Sequence, residues 1–238
     1  ISQTIRQAKQ VPVLINYSVG KHRFEKTPDA FDLALIAKID ELDIPYWFPT
    51  DRMMEGGETR RNDPIGITHV HHFYTKRSLW VLGALYEKAF KSRHKLNVFF
   101  VQYAALGFSK LSRYVPTHFS QVNQYLSGTL YIGSQQVEVS PDYILAGKLQ
   151  RLVKHEAPRF GKIKVASIGC CDSSVFPIPG ESFDYIFIDP PFGANLNYSE
   201  LNILWEQWLK VWTDNKPEAI ENSVQGKGPN EYRYLMTT

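Results

Sequence analysis

The chain has 238 residues, with 43% apolar and 13% aromatic content and 27 basic against 24 acidic side chains, a formal net charge of +3. That composition suits one large domain, or a domain with a sizeable insertion, and excludes a disordered chain. The small basic excess permits an anionic partner without demanding one. The only cysteines, Cys170 and Cys171, are adjacent, which argues against a disulfide scaffold and points to a reducing, cytoplasmic setting.

The longest apolar run, residues 97–108, is too short to span a bilayer and contains Gln102. The N-terminus lacks the charged-then-apolar pattern of a secretory signal. It begins with Ile1, and the chain is read as a piece of a longer one.

In chain order, residues 11–26 predict two short strands around Val19-Gly20. Thr27-Pro28 predicts a helix to about Leu42, with Thr27 as cap and Phe31, Leu35, Ile39 and Leu42 on one face. Residues 43–75 carry turn residues throughout and no helical period; so long an irregular stretch is expected to be functional or mobile. Thr75 predicts the cap of a helix over 76–91 that is apolar nearly all round and therefore buried. A third helix is predicted over 98–114 behind Asn97, a hairpin over 129–139 around Gly133-Ser134, and a helix to about Glu156 from the pair Ser140-Pro141.

The pattern then changes. Residues 163–168 predict a short strand ending at Gly169, and a loop holding Asp172 and Ser173 follows. Residues 183–188 (FDYIFI) predict a second buried strand. Asn197 and Glu200 offer a capping-box variant, and Leu201, Leu204, Trp205, Trp208 and Trp212 form a helical stripe read as core. Buried strands alternating with a loop and a helix predict an α/β fold with a parallel, partly Rossmann-like sheet, preceded by a helical, hairpin-containing N-terminal region. The expected division is 1–160 as that region, a candidate substrate-recognition insertion, and 161–238 as the sheet-bearing part.

Ligands of open parallel sheets bind beyond the carboxyl ends of strands, and Asp189-Pro190-Pro191-Phe192 stands at such an end. The prolines fix φ and remove two N–H donors, so the turn is rigid and its carbonyls are free to accept. Phe192 supplies a flat face. An acid, a free carbonyl and an aromatic together can accept two hydrogen bonds from an NH₂ group and stack on its planar ring. This is what methylation of an exocyclic amine requires: the two acceptors draw the nitrogen toward tetrahedral geometry and stabilise the developing positive charge, and the ring is held for in-line attack. In a duplex the base must first leave the stack, and stacking on Phe192 offsets part of that cost.

DPPF preceded by FDYIFI resembles the catalytic motif of S-adenosylmethionine-dependent amino-methyltransferases, which modify adenine N6 or cytosine N4. The longer match is to DNA methylases that carry a zinc ribbon, through the segment GITHVHHFYTKRSLWVLGALYE, the helical stretch and the aromatic-rich helix after DPPF. That resemblance covers roughly residues 45–235. It implies that Asp189, Pro190, Pro191 and Phe192 are catalytic and that Asp172, with Ser173 beside it, lies near the cofactor adenine. It implies S-adenosyl-L-methionine as cofactor and DNA as partner, with a restriction–modification partner as a further candidate and no membrane. The loop at 225–228 (QGKG) resembles one that covers the site. The chain departs from the pattern in lacking a strand–glycine loop–helix for the methionine end of the cofactor, and in lacking the ribbon cysteines. Both are expected upstream, and this piece alone is expected to bind cofactor weakly or not at all.

Arg52, Arg60, Arg61 and Arg77 are candidates for phosphate contact, against the alternative of a solvated loop. His69, His71 and His72 lack a nearby cysteine, and a zinc site needs a compact set of three or four ligands; structural packing or substrate contact is the preferred reading. In an extended segment His69 and His71 would share a face. The functional alternatives are methylation of a ribosomal RNA guanine or adenine amine, which the 160 residues before the site argue against, and a non-catalytic nucleic-acid-binding module.

Overall fold

The computed structural model describes residues 6–92, 94–156 and 179–237. Its elements are strands β1 (Ile15–Val19) and β2 (His22–Lys26) and helices α1 (Ala30–Glu41), α2 (Lys76–Lys91), α3 (Lys95–Ala105), α4 (Pro141–Arg151), α5 (Tyr198–Glu206) and α6 (Pro229–Thr237). Mixed helix and strand is therefore the fold of the described residues.

The predicted N-terminal hairpin is present. β1 and β2 pair antiparallel from Ile15 opposite Lys26 to Val19 opposite His22. Gly20, at φ +60°, takes the left-handed corner that a two-residue turn needs. α1 starts two residues later than predicted. Its cap is Asp29, not Thr27: Asp32 N donates to Asp29 Oδ1 and Asp29 N donates to Asp32 Oδ2, each at 3.0 Å. Lys26 binds both carboxylates and so favours this start. The predicted apolar face of α1 is not buried; Phe31 is 75% exposed and no residue of the helix is buried.

α2 forms over the predicted residues, with Thr75 Oγ1 accepting from Ser78 N at 3.1 Å. It buries Leu79, Leu82, Tyr86 and Ala89. α3 is shorter than predicted, ending at Ala105 and continuing as one 3₁₀ turn over Leu106–Phe108. The hairpin predicted over 129–139 does not form. That segment bonds outward instead: Tyr114 N donates to Gln135 O, Val137 N donates to Ser112 O, and Leu130 N donates to the Glu58 carboxylate. α4 begins at Pro141 as predicted and gives way to a π turn over Leu152–Glu156.

The apolar core centres on Trp208, which is fully buried. Its ring meets Trp47 edge-on and lies against Tyr74 and Tyr86, and its indole N–H donates to the Tyr74 hydroxyl at 3.3 Å. Phe73, Leu82, Val101, Ala104, Ile144, Ile203 and Leu204 complete one cluster, which draws on both sides of residue 160. Residues 43–75 belong to it as well: Met53, Ile67, Val70 and Phe73 are buried. The stretch expected to be functional or mobile is therefore part of the packed interior. The tryptophan stripe is core only in part. α5 ends at Glu206, Lys210 turns the chain at φ +59°, and Trp212 is exposed.

The strand predicted over 163–168 lies outside the described residues. Residues 183–188, predicted as a buried strand, show no strand pairing and are exposed. A strand exists only by hydrogen bonding to a neighbour, and among the described residues this segment pairs with no strand.

Candidate active site

The turn at 189–192 leads from residues 183–188 to α5. Asp189 is exposed, and among the described residues nothing bonds its carboxylate. Pro190 and Pro191 are half-buried, and Phe192 is 66% exposed. The two prolyl carbonyls differ. Pro191 O accepts from the Tyr232 hydroxyl at 2.9 Å, whereas Pro190 O accepts from no group among the described residues. Asn195 N donates to Phe192 O at 3.0 Å and closes the turn. Gly193 follows at φ +54°, and its carbonyl accepts from Glu221 N at 3.0 Å. A side chain there would be strained by the backbone and pressed to 3.1 Å from Glu221 Oε1.

Glu200 does not complete a capping box. Asn197 is the N-cap of α5 but makes no side-chain cap bond. Glu200 is instead wholly buried and accepts from Glu58 N at 2.7 Å, Thr59 N at 2.8 Å, Thr59 Oγ1 at 3.1 Å and Asn222 Nδ2 at 2.6 Å. One carboxylate thus joins α5 to the loop before residue 60 and to the segment beyond residue 218. Gly56 makes this approach possible, because a Cβ there would lie 2.1 Å from Glu200 Cδ. The sequence marked Glu200 only as a capping acid and did not mark Tyr232. The Gly56-Gly57 pair was the one available signal of a close approach.

Residues 222–227 form a closed turn, with Asn222 N donating to Lys227 O and Lys227 N donating to Asn222 O. Lys227 is buried, and its ammonium donates to Asn215 O at 2.6 Å and Glu218 O at 2.7 Å. Burial holds its pKa below the usual lysine range, against the opposing pull of Glu218, Glu231 and Asp214. This turn borders a cavity of about 420 Å³ lined by Met54, Glu55, Asn215, Lys216, Val224, Gln225 and Lys227.

The four arginines are not equivalent. The Arg60 guanidinium donates to the carbonyls of Met53 and Met54 and pairs with Asp63 and Glu55. Arg61 forks onto Glu58, and Arg77 forks onto Glu138. Arg52 bridges to His69 through its backbone, while its guanidinium has no hydrogen bond or ion pair among the described residues.

The three histidines do not alternate along an extended strand. A 3₁₀ turn over Val70–Phe73 gathers them, with ring centroids 4.3 Å apart for His71 and His72 and 5.6 Å for His69 and His71. His72 Nδ1 accepts from Thr68 N at 3.2 Å. Burial, reinforced by neighbouring imidazoles and Lys110, lowers the pKa of His71 and of His72 to about 4. Among the described residues no group of three His, Cys, Asp or Glu side chains could hold a metal ion.

Asp172 and Ser173 lie outside the described residues, as do Cys170 and Cys171. The described residues do not fit the methionine end of S-adenosylmethionine. Gly56 is filled from one side by Glu200, a Cβ on Gly57 would lie 4.0 Å from the Asn222 amide, and Gly226 and Gly228 flank a lysine already bound to two carbonyls. Comparison with protein-family models, with curated proteins and with solved structures returned no match for the chain.

Proposed function

We propose that this chain carries the amine-binding side of an S-adenosylmethionine-dependent methyltransferase that acts on an exocyclic amine of a DNA base, adenine N6 in the first instance. The observation that carries the reading is the turn at 189–192. Among the described residues it presents a carboxylate and a carbonyl without partners next to an exposed phenyl ring, and it is anchored from behind by Tyr232. A flat heteroaromatic ring with an NH₂ group satisfies all three features at once. Asp189 and Pro190 O would accept its two protons, and Phe192 would stack on its face. Acceptors aimed at a nitrogen that becomes positive stabilise the transition state more than the ground state.

The exposed apolar residues at 185–188 support a further element of the reading. A strand destined for the middle of a parallel sheet is apolar on both faces, and this one has unspent apolar surface. We therefore assign it to a Rossmann-like parallel sheet. A cytoplasmic protein with access to DNA fits the reading. Arg52 is the first of the four arginines to test for phosphate contact, since Arg60, Arg61 and Arg77 would each have to leave a carboxylate.

The test uses the full-length protein with labelled S-adenosylmethionine and, in parallel, DNA and ribosomal RNA. Label is expected in DNA. Asp189→Ala should lower the transfer rate at least about 100-fold with unchanged circular dichroism, because an exposed carboxylate without partners contributes little to folding. Transfer at the parental rate by that variant would remove Asp189 from the chemistry, and label in RNA alone would replace the substrate.

A further inference from the structure

The prolines fix φ in the turn at 189–192 but leave ψ to be set from outside. Two of its four residues have no N–H, and among the described residues its backbone bond, Asn195 N to Phe192 O, forms after the prolines. Among the described residues the other ties come from the segment beyond residue 218. Glu221 N holds Gly193 O, and the Tyr232 hydroxyl holds Pro191 O. This segment is itself fixed at a deeper point, since Asn222 donates to the buried Glu200 carboxylate at 2.6 Å. Lys227 also clasps Asn215 O and Glu218 O.

α6, which carries Tyr232, has no buried residue. It contributes little to the core, and Tyr232 is half-buried on an otherwise mostly exposed helix. The tie also distinguishes two adjacent carbonyls: the hydroxyl occupies Pro191 O, while among the described residues nothing donates to Pro190 O. The Pro191 ring fixes φ, so the peptide planes on either side of it are related by ψ alone, and holding Pro191 O limits where Pro190 O points.

We propose that Tyr232 is a positioning residue for the amine-accepting turn, and that residues 218–232 act as a strap running from Glu200 to Pro191. The strap decides which carbonyl stays available beside Asp189 and at what angle Phe192 stands. This inference rests on the methyltransferase reading for its consequence in catalysis, but not for its consequence in geometry.

The experiment compares Tyr232→Phe with the parent in the full-length protein. The substitution keeps the ring and removes only the donor. Amide hydrogen exchange at residues 192–195 is expected to rise about tenfold, the effect of losing one hydrogen bond of about 1.4 kcal/mol, while amides of α5 stay unchanged. The kcat for methyl transfer should fall by a similar factor, with KM within about twofold. Unchanged exchange at 192–195 would overturn the strap. Exchange that also rises throughout α5 would make Tyr232 a general structural residue and overturn the positioning role, as would an unchanged kcat in an active parent. A parent that transfers no methyl group to any nucleic acid defeats the methyltransferase reading alone, and the exchange result still decides the strap.

Discussion

Residues 43–75 hold consecutive glycines, five arginine or histidine side chains before residue 72 and no periodic apolar pattern, yet they supply Met53, Ile67, Val70 and Phe73 to the interior. Residues 183–188 are nearly all apolar, yet Phe187 is 80% exposed. The difference lies in where each segment finds its polar partners. The first has internal acceptors for its donors: Glu200 takes Glu58 N and Thr59 N, Asn62 donates to Leu130 O at 2.6 Å, and Arg60 ties the carbonyls at 53 and 54. With its backbone satisfied, it can be buried. The second forms no ladder among the described residues, and apolar side chains alone do not draw a backbone into the interior without one.

The contrast is sharpest at Glu200, where the largest effect is expected. Glu200→Ala would take the acceptor from the buried Glu58 N and Thr59 N and leave Asn222 Nδ2 with Asn197 Oδ1 at 3.4 Å. Each stranded donor costs about 1–3 kcal/mol, so the variant should lose about 2–6 kcal/mol. The midpoint of thermal unfolding should fall on the order of 10 °C. Calorimetry checks this, and hydrogen exchange should locate the loss in residues 54–60 and 222–225. A variant with unchanged stability would mean that residues 43–75 are held by something other than this carboxylate.

Much of the fold was legible where the signal was local. Thr75 and the apolar pattern after it marked α2 to the residue, Ser140-Pro141 marked the start of α4, and Val19-Gly20 marked the hairpin. Each of these depends on neighbours within four residues. What failed depends on distant partners. Residues 129–139 alternate like a hairpin, but their hydrogen bonds go to Ser112, Glu58 and Asn62. Glu200 sits where a capping acid would sit, but its donors lie 142 and 141 residues earlier. The site divides in the same way. The residue types of the turn at 189–192 were readable from proline chemistry, while its anchor, Tyr232, is 41 residues away and carries no motif.

A smaller effect is expected from the imidazoles of the buried segment. His71 and His72 have pKa values of about 4 in the fold, below the ordinary histidine value of 6.5, chiefly because burial disfavours their charged forms. A group whose folded pKa is depressed binds more protons when unfolded. Stability is therefore fully present above about pH 6.5, declines as the pH falls through that value, and levels off near pH 4. Urea unfolding across that window should show the decline, and the double variant His71→Gln, His72→Gln should flatten it. A slope that survives in the double variant would belong to other groups.

The smallest effect is expected in the exposed apolar segment. If residues 183–188 are solvated in this chain, Phe187→Ser should change the unfolding free energy by no more than about 0.5 kcal/mol, the range of surface substitutions. Burial in a core would make the same truncation cost about 3 kcal/mol or more. The measurement separates the two regions directly, because Leu82, fully buried in α2, serves as the internal standard: Leu82→Ala should cost about 2–5 kcal/mol. Equal losses from Phe187→Ser and Leu82→Ala would place residues 183–188 in a packed sheet and move the turn at 189–192 to the end of a buried strand. A near-zero loss would leave the turn mounted on its strap, with Tyr232 and Glu221 as its fixed points. The segment before it would then remain available for strand pairing elsewhere.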